Sequence, residues 1–181
     1  MIVKIRLISE KPLEFPKNYN HILQSFFYKN MDKKIATFLH DTGFTYGKRK
    51  FKLFTFSKII GKLKDKQDGL LFFEPEITIY FASPLIEITS SHVKTLLKKG
   101  KLKLGKNEVE VFTVELITPQ VDEEITVRCL SPITVYKTPK GERRFLYLTP
   151  FEEEFYELLK NNLLKKIRTR LQKALRRRLR D

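Results

Sequence analysis

An α+β fold is predicted by the order of strand and helix signals along this chain. Segments with alternating apolar residues and segments with helical apolar spacing follow one another as strand, helix, strand, strand, helix, strand. Glycine and proline residues fall between these segments, where turns are expected. With 181 residues, 41% hydrophobic content and 15 Phe, the chain can fill the core of one ordinary domain or of two small ones.

The first strand and the first helix carry the clearest patterns. Residues 1–8 alternate as a half-buried strand does, and residues 18 to about 39 predict an amphipathic helix. The apolar positions of that helix are Ile22, Leu23, Phe26, Phe27, Met31, Ile35, Phe38 and Leu39. Gly43 and Gly47 then interrupt the chain before a strand that begins near Phe51.

The next segments complete one supersecondary unit. A turn is expected over residues 62–69, a strand over 76–81, and a second helix from Pro84 to near Gly100. A hairpin turn at residues 105–107 leads into a strand over 109–117. This order is that of a ferredoxin-like (RRM-like) βαββαβ unit, which we assign to residues 1–118.

Residues 119–181 predict the start of a second, incomplete ferredoxin-like unit. Residues 125–130 are expected to form a strand that continues into 133–136, and Gly141 turns a hairpin into 145–148. Thr149 as N-cap and Pro150 in the first turn predict a long basic helix that runs through Leu175. The remaining strands and helix of a complete unit are missing, so we expect either a reduced second half or a shortened chain.

The charge of the chain favours a polyanionic partner. Lys and Arg total 36 against 21 Asp and Glu, which gives a formal charge of +15 and a pI near 9.8. Nucleic acid is the first expectation; a solvated basic surface and an anionic membrane surface are the alternatives. Cys129 is the one cysteine and falls in a strand-like run, so neither a disulfide framework nor a cysteine metal cluster is expected. The absence of a long apolar run and of a signal-peptide pattern predicts no membrane partner and a cytoplasmic location.

Three residues around the end of the first helix are the candidate catalytic groups. Tyr28, His40 and Lys52 supply a phenol, an imidazole and an ammonium within one helix-to-strand connection. Cleaving RNA through its own 2′-OH needs a base for that proton, charge stabilisation at the phosphorane and an acid for the 5′-oxygen. Histidine can serve as base or acid near neutral pH. Because no His, Cys or carboxylate cluster has metal-ligand spacing, we expect no metal and no cofactor.

Each of these residues has a structural alternative. An imidazolium at a helix end is stabilised by the helix dipole, so His40 can be a cap. Tyr28 can be a tyrosine at the edge of the core, and Lys52 a solvated charge. If a strand has begun by residue 52, Lys52 shares a face with Phe54 and Phe56, although we expect both rings to lie in the core. His21 and His92 are expected to be structural or surface residues.

Basic residues interleaved with aromatic ones predict an RNA-binding surface. Cations neutralise phosphates, while exposed rings stack on bases. The candidate RNA-contacting residues are Lys48, Arg49, Lys50, Lys58, Arg128, Lys137, Arg143 and Arg144.

The basic C-terminal helix is open to several interpretations. It can be a solvated helix whose charges suit its dipole, a second RNA-binding element, or a surface for a partner subunit or a membrane. We favour RNA binding or a homodimer, because an unfinished second domain leaves apolar surface that a second copy can cover.

Four short segments, taken in order, resemble one known family. They are Leu39-His40, Lys52-Leu53-Phe54-Thr55-Phe56-Ser57, Leu130-Ser131-Pro132-Ile133, and Thr149-Pro150-Phe151 with Phe155-Tyr156. Together they resemble the CRISPR repeat-processing endoribonucleases, the Cas6 family of the RAMP superfamily. The resemblance implies tandem ferredoxin-like domains and metal-independent cleavage of the CRISPR repeat in precursor crRNA, leaving 5′-hydroxyl and 2′,3′-cyclic phosphate ends. It also carries the tyrosine, histidine and lysine of that family onto Tyr28, His40 and Lys52.

The resemblance departs from the family pattern near the C-terminus. Family members normally finish with a glycine-rich loop that lines the RNA cleft, whereas this chain has no glycine after Gly141. A catalytically silent member of the family, or a general RNA-binding module, is therefore the alternative function. A structural protein that assembles through its last helix is a more distant one.

Overall fold

Two compact units make up the chain in the computed structural model, which describes residues 1–139, 141 and 143–178. The first unit comprises Met1–Gly43 and Lys52–Thr126, and the second comprises Phe44–Phe51 and Val127–Asp181. The second unit therefore includes a short piece of chain from between the first helices and the sheet. A domain boundary between residues 118 and 119 stays a prediction.

Eleven strands and four helices are defined among the described residues. In chain order the elements are β1 (Ile2–Ile8), β2 (Leu13–Pro16), α1 (Asn20–Lys29), α2 (Lys33–Thr37), a π-helical turn (Phe38–Thr42), β3 (Phe44–Tyr46), β4 (Arg49–Phe51), β5 (Thr55–Phe56), β6 (Ile60–Gln67), β7 (Leu70–Ala82), α3 (Ile86–Lys98), β8 (Lys101–Leu104), β9 (Asn107–Ile117), β10 (Val135–Lys137), β11 (Leu146–Leu148) and α4 (Glu153–Arg178).

The sheet of the first unit has the ferredoxin-like strand order. Strand β1 lies between β7 and β9, and β5 and β6 pair with β7. Every one of these pairings is antiparallel. The order β9-β1-β7-β6, with α1 and α3 as the two crossover helices, is the arrangement expected of a βαββαβ unit. The prediction of an α+β, ferredoxin-like fold is therefore confirmed.

One face of the sheet and the two crossover helices form the core of the first unit. Strand β1 buries every second residue, and α1 and α3 each contribute buried side chains. Fully buried members include Val3, Ile5, Leu7, Leu23, Phe27, Ile79, Phe81 and Leu96. Burying a side chain of this size stabilises the fold by about 1.5–3 kcal/mol, so this layer sets the fold.

The first helix is not continuous, contrary to the prediction over residues 18–39. Helix α1 ends at Lys29, and the buried Asn30 turns its Nδ2 back to donate to the Phe26 carbonyl at 2.9 Å. The Asp32 carboxylate then accepts from the backbone N–H groups of Lys34 and Ile35 and starts α2. Apolar spacing continues through the break, which is why the pattern did not reveal it.

The turn expected over residues 62–69 is also wrong. Strand β6 continues to Gln67, and the connection to β7 is a two-residue turn at Asp68 and Gly69. Both residues have positive φ, 45° and 81°, which suits the twist of a hairpin and explains the Asp-Gly pair.

The strand expected over residues 125–130 does not form. Ile125, Val127 and Leu130 are exposed, and Cys129 lies exposed outside any strand. Alternation of apolar residues requires a neighbouring strand to pair with, and no strand among the described residues pairs with this segment. Pro132 also lacks an N–H for a ladder.

The second unit is built on a hairpin and the long helix α4. Strands β10 and β11 pair antiparallel, and Val135, Leu148 and Phe155 bury a small apolar cluster. Strands β3 and β4 form a separate antiparallel ribbon, and the Arg168 guanidinium donates to the Tyr46 hydroxyl at 3.3 Å.

Helix α4 begins later than the sequence predicts. Its first residue is Glu153, because a turn precedes it in which the Glu152 carboxylate accepts from the Thr149 N–H and hydroxyl at 2.7 and 2.9 Å. The bond from the Thr149 N–H to the carboxylate three residues later is one of the two hydrogen bonds of a capping box. Among the described residues, no helix is both long enough and apolar enough to cross a membrane.

Candidate active site at the end of the first helix

Tyr28, His40 and Lys52 lie together in the first unit. Tyr28 is in the last turn of α1, His40 is in the π-helical turn, and Lys52 lies between β4 and β5. The rings of Tyr28 and His40 meet edge to face with their centroids 5.7 Å apart. The Lys52 ammonium donates to the His40 carbonyl at 2.6 Å. The fold therefore brings three residues from three separate segments into one cluster.

The His40 imidazole is exposed and held by its neighbour in sequence. Its Nδ1 lies 2.6 Å from Oδ1 of Asp41, and its side chain is 73% exposed. A carboxylate at Nδ1 favours the tautomer with the proton on that nitrogen, which leaves Nε2 to accept a proton from a substrate. Sequence reasoning assigned no role to Asp41, because adjacent residues of a regular helix do not face each other. Here both residues lie in a π-helical turn, a rare form that often occurs at functional sites.

The Tyr28 phenol stays protonated at neutral pH. Burial raises the pKa of Tyr28 above its ordinary value of 10.0, and a hydrogen bond with the Gln24 side chain lowers it in part. The ring packs edge to face on Phe54 with centroids 5.6 Å apart. Tyr28 thus lies at the edge of the core, as its structural alternative predicted, with its ring against His40. Gln24 is one helical turn earlier on α1 and was not singled out from the sequence.

The residue after Lys52 has an unusual backbone conformation. Leu53 has a φ of 52°, and its buried side chain and a 2.7 Å hydrogen bond from the Ser83 hydroxyl to its carbonyl hold it there. A left-handed conformation costs a non-glycine residue about 1–2 kcal/mol. No strand has begun at residue 52, so Lys52 does not share a strand face with Phe54 and Phe56.

The two phenylalanines after Lys52 pack inside the first unit, as expected. Phe54 lies against Phe81 with ring centroids 5.5 Å apart, and Phe56 stacks on Phe27 at 5.0 Å. They anchor the segment that carries Lys52.

Helix α3 fixes the corner between α1 and α2 that carries the site. His92 Nδ1 lies 2.7 Å from the Asn30 carbonyl, and the Lys99 ammonium donates to Asn30 Oδ1 at 2.9 Å. The Asp32 N–H donates to the Ser91 hydroxyl at 2.7 Å. Burial lowers the pKa of His92 from 6.5 to about 4, so the ring is neutral at pH 7 and donates from Nδ1. Two contacts from α3 and one from Lys99, the residue after it, thus hold the chain between Tyr28 and His40.

The other two histidines have the roles that the sequence suggested. His92 is fully buried and structural, whereas His21 is on the surface with Nδ1 2.8 Å from the Asn18 carbonyl.

The candidate RNA-contacting residues divide between the two units. Lys58 is exposed in the first unit. In the second unit, Lys48 lies in the turn of the β3–β4 ribbon, and Arg49 and Lys50 follow on β4, all exposed. A short two-stranded ribbon with three exposed cations suits contact with a phosphate backbone.

The remaining four candidates lie around the β10–β11 hairpin and before it. Arg128 is exposed in the irregular segment, and Arg143 and Arg144 are exposed just before β11. Lys137 differs from them, because its ammonium forms an ion pair with the Glu154 carboxylate and its side chain is only 37% exposed. Among the described residues, no three His, Cys, Asp or Glu side chains are grouped to hold a metal ion.

Comparison with known families identifies the chain. A family model described as CRISPR-associated protein Cas6, N-terminal, matches residues 14–117, which is more than half of the chain. A second model, CRISPR associated protein Cas6, C-terminal, matches residues 114–180. The chain belongs to the Cas6 family.

Individual relatives support the same assignment. The CRISPR-associated endoribonuclease Cas6 1 of Methanocaldococcus jannaschii is 30% identical over 175 residues, which cover 92% of this chain and 65% of the relative. The CRISPR-associated endoribonuclease Cas6 of Pyrococcus furiosus is 28% identical over 168 residues, which cover 88% of this chain and 61% of the relative. The chain thus spans less than two thirds of the length of these curated relatives.

A solved structure described as CRISPR associated protein Cas6 has the same fold. It superposes with a TM-score of 0.71 at 26% identity, over 95% of this chain and 72% of that one.

Proposed function

We propose that this Cas6-family chain cleaves CRISPR repeat RNA within precursor transcripts, by attack of a ribose 2′-OH and without a metal ion. The products would carry 2′,3′-cyclic phosphate and 5′-hydroxyl ends. The observation that carries the proposal is the cluster of Tyr28, His40 and Lys52, with Asp41 bound to the exposed imidazole. Two relatives named as CRISPR-associated endoribonucleases support the choice of reaction.

Each residue has a role that its surroundings allow. His40 Nε2 takes the proton of the 2′-OH, while the Asp41 carboxylate accepts from Nδ1–H and stabilises the imidazolium that forms. The Lys52 ammonium has three protons, so it can keep its bond to the His40 carbonyl and still donate to a phosphate oxygen. The protonated Tyr28 phenol donates to the leaving 5′-oxygen or orients the ribose. Catalysis by these groups calls for no metal.

CRISPR repeat RNA is the partner in this proposal, and the exposed basic residues bind its backbone. Of the eight candidate residues, six are exposed and lie in the second unit. They are Lys48, Arg49, Lys50, Arg128, Arg143 and Arg144. A cytoplasmic location belongs to the same proposal, because precursor transcripts are made there.

A homodimer through α4 is a separate part of the proposal. Leu163, Ile167 and Leu171 recur every four residues on α4 and are 50%, 53% and 56% exposed. Such a stripe suits a second copy of the same helix. Light scattering should give twice the chain mass, and Ile167→Glu should return it to the monomer. A monomeric mass for the unmodified chain at all concentrations would remove this part.

One assay tests the catalytic proposal. Repeat RNA is incubated in EDTA with the unmodified protein, with His40→Ala and with His21→Ala, which changes an exposed histidine outside the cluster. Loss of an acid–base group lowers a rate by about 100- to 10,000-fold. His40→Ala should lose cleavage to that extent and keep its affinity for RNA, whereas His21→Ala should cleave normally.

The other outcomes separate the alternatives. Equal cleavage by His40→Ala and the unmodified protein would refute the assignment of the base. RNA binding without cleavage by the unmodified protein would indicate a catalytically silent RNA-binding member. Negligible binding at low salt would favour a structural role.

A further inference from the structure

A groove of about 540 Å³ lies at the other end of α1 from His40, within the first unit. Three lysines, Lys17, Lys58 and Lys66, lie along it, and all three are exposed. Tyr19, Leu63 and Phe73 supply its apolar wall. Its volume is in the range of pockets that hold small ligands, which is about 300–1,000 Å³.

The groove exists because the pairing of β6 with β7 is interrupted. Gly61 pairs with Ile77 and Leu63 with Phe73, so one residue of β6 faces three of β7 between these pairs. The chain approaches closely at this point, since a Cβ on Gly61 would lie 3.0 Å from Ile77 Cγ2 and 3.1 Å from the Glu76 carbonyl oxygen. The irregularity bends the edge of the sheet and leaves Leu63 40% exposed.

The wall of the groove suits a nucleobase. Leu63 is an exposed apolar side chain on an edge strand in which its neighbours Lys62 and Lys64 are charged. The Tyr19 ring is half-buried, and its hydroxyl accepts from the Ile59 N–H at 3.2 Å. A phenol that accepts one hydrogen bond can still donate its own proton. An apolar wall with a single polar donor can hold a base without selecting its sequence strongly.

The charge along the groove selects an anion. None of the described residues that line it is acidic. A second groove of similar size, about 590 Å³, gives the contrast, since Glu10, Glu14, Glu108 and Glu110 line it together with lysines. Ion pairs from Lys101 to Glu10 and Glu108 offset the charge there. Of these two grooves, the first has lysines but no acidic side chain among its described lining residues, whereas the second has four glutamates.

One stretch of chain connects the groove with the catalytic cluster. Phe54 contacts Tyr28, Phe56 contacts Phe27, and the Ile59 N–H bonds to Tyr19, so residues 54–59 run back along α1. Tyr19 and Tyr28 are nine residues apart; at about 1.5 Å per helical residue, the two ends are about 14 Å apart. A strand that rises about 3.4 Å per nucleotide, as each strand of stacked B-form DNA does, spans that distance with about four nucleotides.

We propose that this groove is a second subsite for single-stranded RNA, which holds a nucleotide about four positions from the one at His40. The base lies on Tyr19, Leu63 and Phe73, and the adjoining phosphates bind the three lysines. The position relative to the cut rests on the proposed function, whereas binding of RNA in the groove does not. The two can therefore fail separately.

Matched double variants test the binding itself. Lys17→Ala with Lys66→Ala removes two groove lysines, and Lys64→Ala with Lys103→Ala removes two exposed lysines that do not line it. Affinity for a repeat RNA oligonucleotide is measured in His40→Ala protein over a range of salt concentrations. Each lost phosphate contact should lower the slope of log affinity against log salt by about 0.7. The salt slope of the groove double variant should therefore be smaller in magnitude by about 1.4. This variant should also bind RNA at least tenfold more weakly than the control double variant. Equal losses of affinity and slope in the two double variants would overturn the proposal.

A single apolar variant tests contact with the base. Leu63→Ala should weaken binding severalfold with no change in the salt slope, because it removes no charge. Unchanged affinity would show that no base lies on the wall.

Shortened substrates test the position of the subsite. In protein with intact His40, the groove pair should raise KM and leave the single-turnover rate at saturating RNA unchanged. RNAs are then trimmed from each side to fewer than four nucleotides from the cut. The defect of the groove pair should vanish with one of the two trimmed series. A defect that persists in both series would contradict the proposed position of the subsite. Absence of cleavage by the unmodified protein would refute the catalytic proposal. The affinity measurements would still test whether the groove binds RNA.

Discussion

Protonation of His92 should destabilise the first unit in mildly acidic solution. The ring packs among Phe26, Phe27 and Phe81 and donates from Nδ1 to the Asn30 carbonyl. Its Nε2 is buried with no hydrogen-bond partner among the described residues. A proton added there would produce a buried N–H and a buried charge without a partner, which is unfavourable.

The size of the effect follows from the two pKa values. Burial lowers the pKa of His92 from 6.5 to about 4 in the folded chain. Because the unfolded chain binds the proton more tightly, stability is fully present above pH 6.5 and is lost as the pH falls towards 4. At about 1.4 kcal/mol per pKa unit the full loss is about 3 kcal/mol, of which about 2 kcal/mol is lost between pH 7 and pH 5.

Urea unfolding at pH 7 and pH 5 measures this loss. His92→Gln keeps a side-chain donor for the Asn30 carbonyl but cannot titrate, and His21→Gln removes an exposed histidine that makes a similar bond to a carbonyl. The unmodified protein and His21→Gln should lose about 2 kcal/mol more than His92→Gln. The same pH dependence in all three proteins would refute the reasoning, whatever the absolute stability of His92→Gln.

Two further changes test the site and the sheet edge. Asp41→Asn should slow cleavage, because it removes the carboxylate that accepts from His40 Nδ1. The loss should be smaller than the roughly 100- to 10,000-fold expected when the His40 imidazole itself is removed. An unchanged single-turnover rate would show that Asp41 does not position His40. Gly61→Ala should lower the free energy of unfolding by about 1–3 kcal/mol, because the added Cβ would crowd Ile77. Gly100→Ala, where the added Cβ meets nothing within 4 Å, should change it little. Equal urea midpoints for the two variants would contradict the close packing of β6 against β7 at Gly61.

The order of elements in the first unit could be predicted because local pattern and tertiary burial agree there. The alternation of residues 1–8 matches a strand whose Val3, Ile5 and Leu7 are buried, and the second helix and the hairpin at residue 105 lie where the pattern put them. The predictions failed where a partner from elsewhere in the chain decides the local structure. The break at Asn30 depends on contacts from His92 of α3 and from Lys99 just after it. The alternation over residues 125–130 finds no strand to pair with among the described residues.

Part of the candidate site could be predicted, and part could not. The sequence placed Tyr28, His40 and Lys52 in one connection, and the structure brings them into contact; their catalytic roles remain a proposal. The left-handed conformation of Leu53 could not be foreseen, because it depends on burial and on a bond from Ser83, thirty residues later. The pairing of His40 with Asp41 needed a π-helical turn, for which no simple sequence signal exists.

The chemistry of the cut tests the central proposal most directly. Repeat RNA is cleaved in EDTA, the cut is mapped, and the ends are identified by mass spectrometry; the same RNA is then made with a single 2′-deoxynucleotide on the 5′ side of the cut. We predict 2′,3′-cyclic phosphate and 5′-hydroxyl ends, and a deoxy-substituted RNA that binds with unchanged affinity but stays intact. Cleavage of the deoxy-substituted RNA, or 5′-phosphate ends that form only when a divalent metal is present, would contradict attack by the 2′-OH.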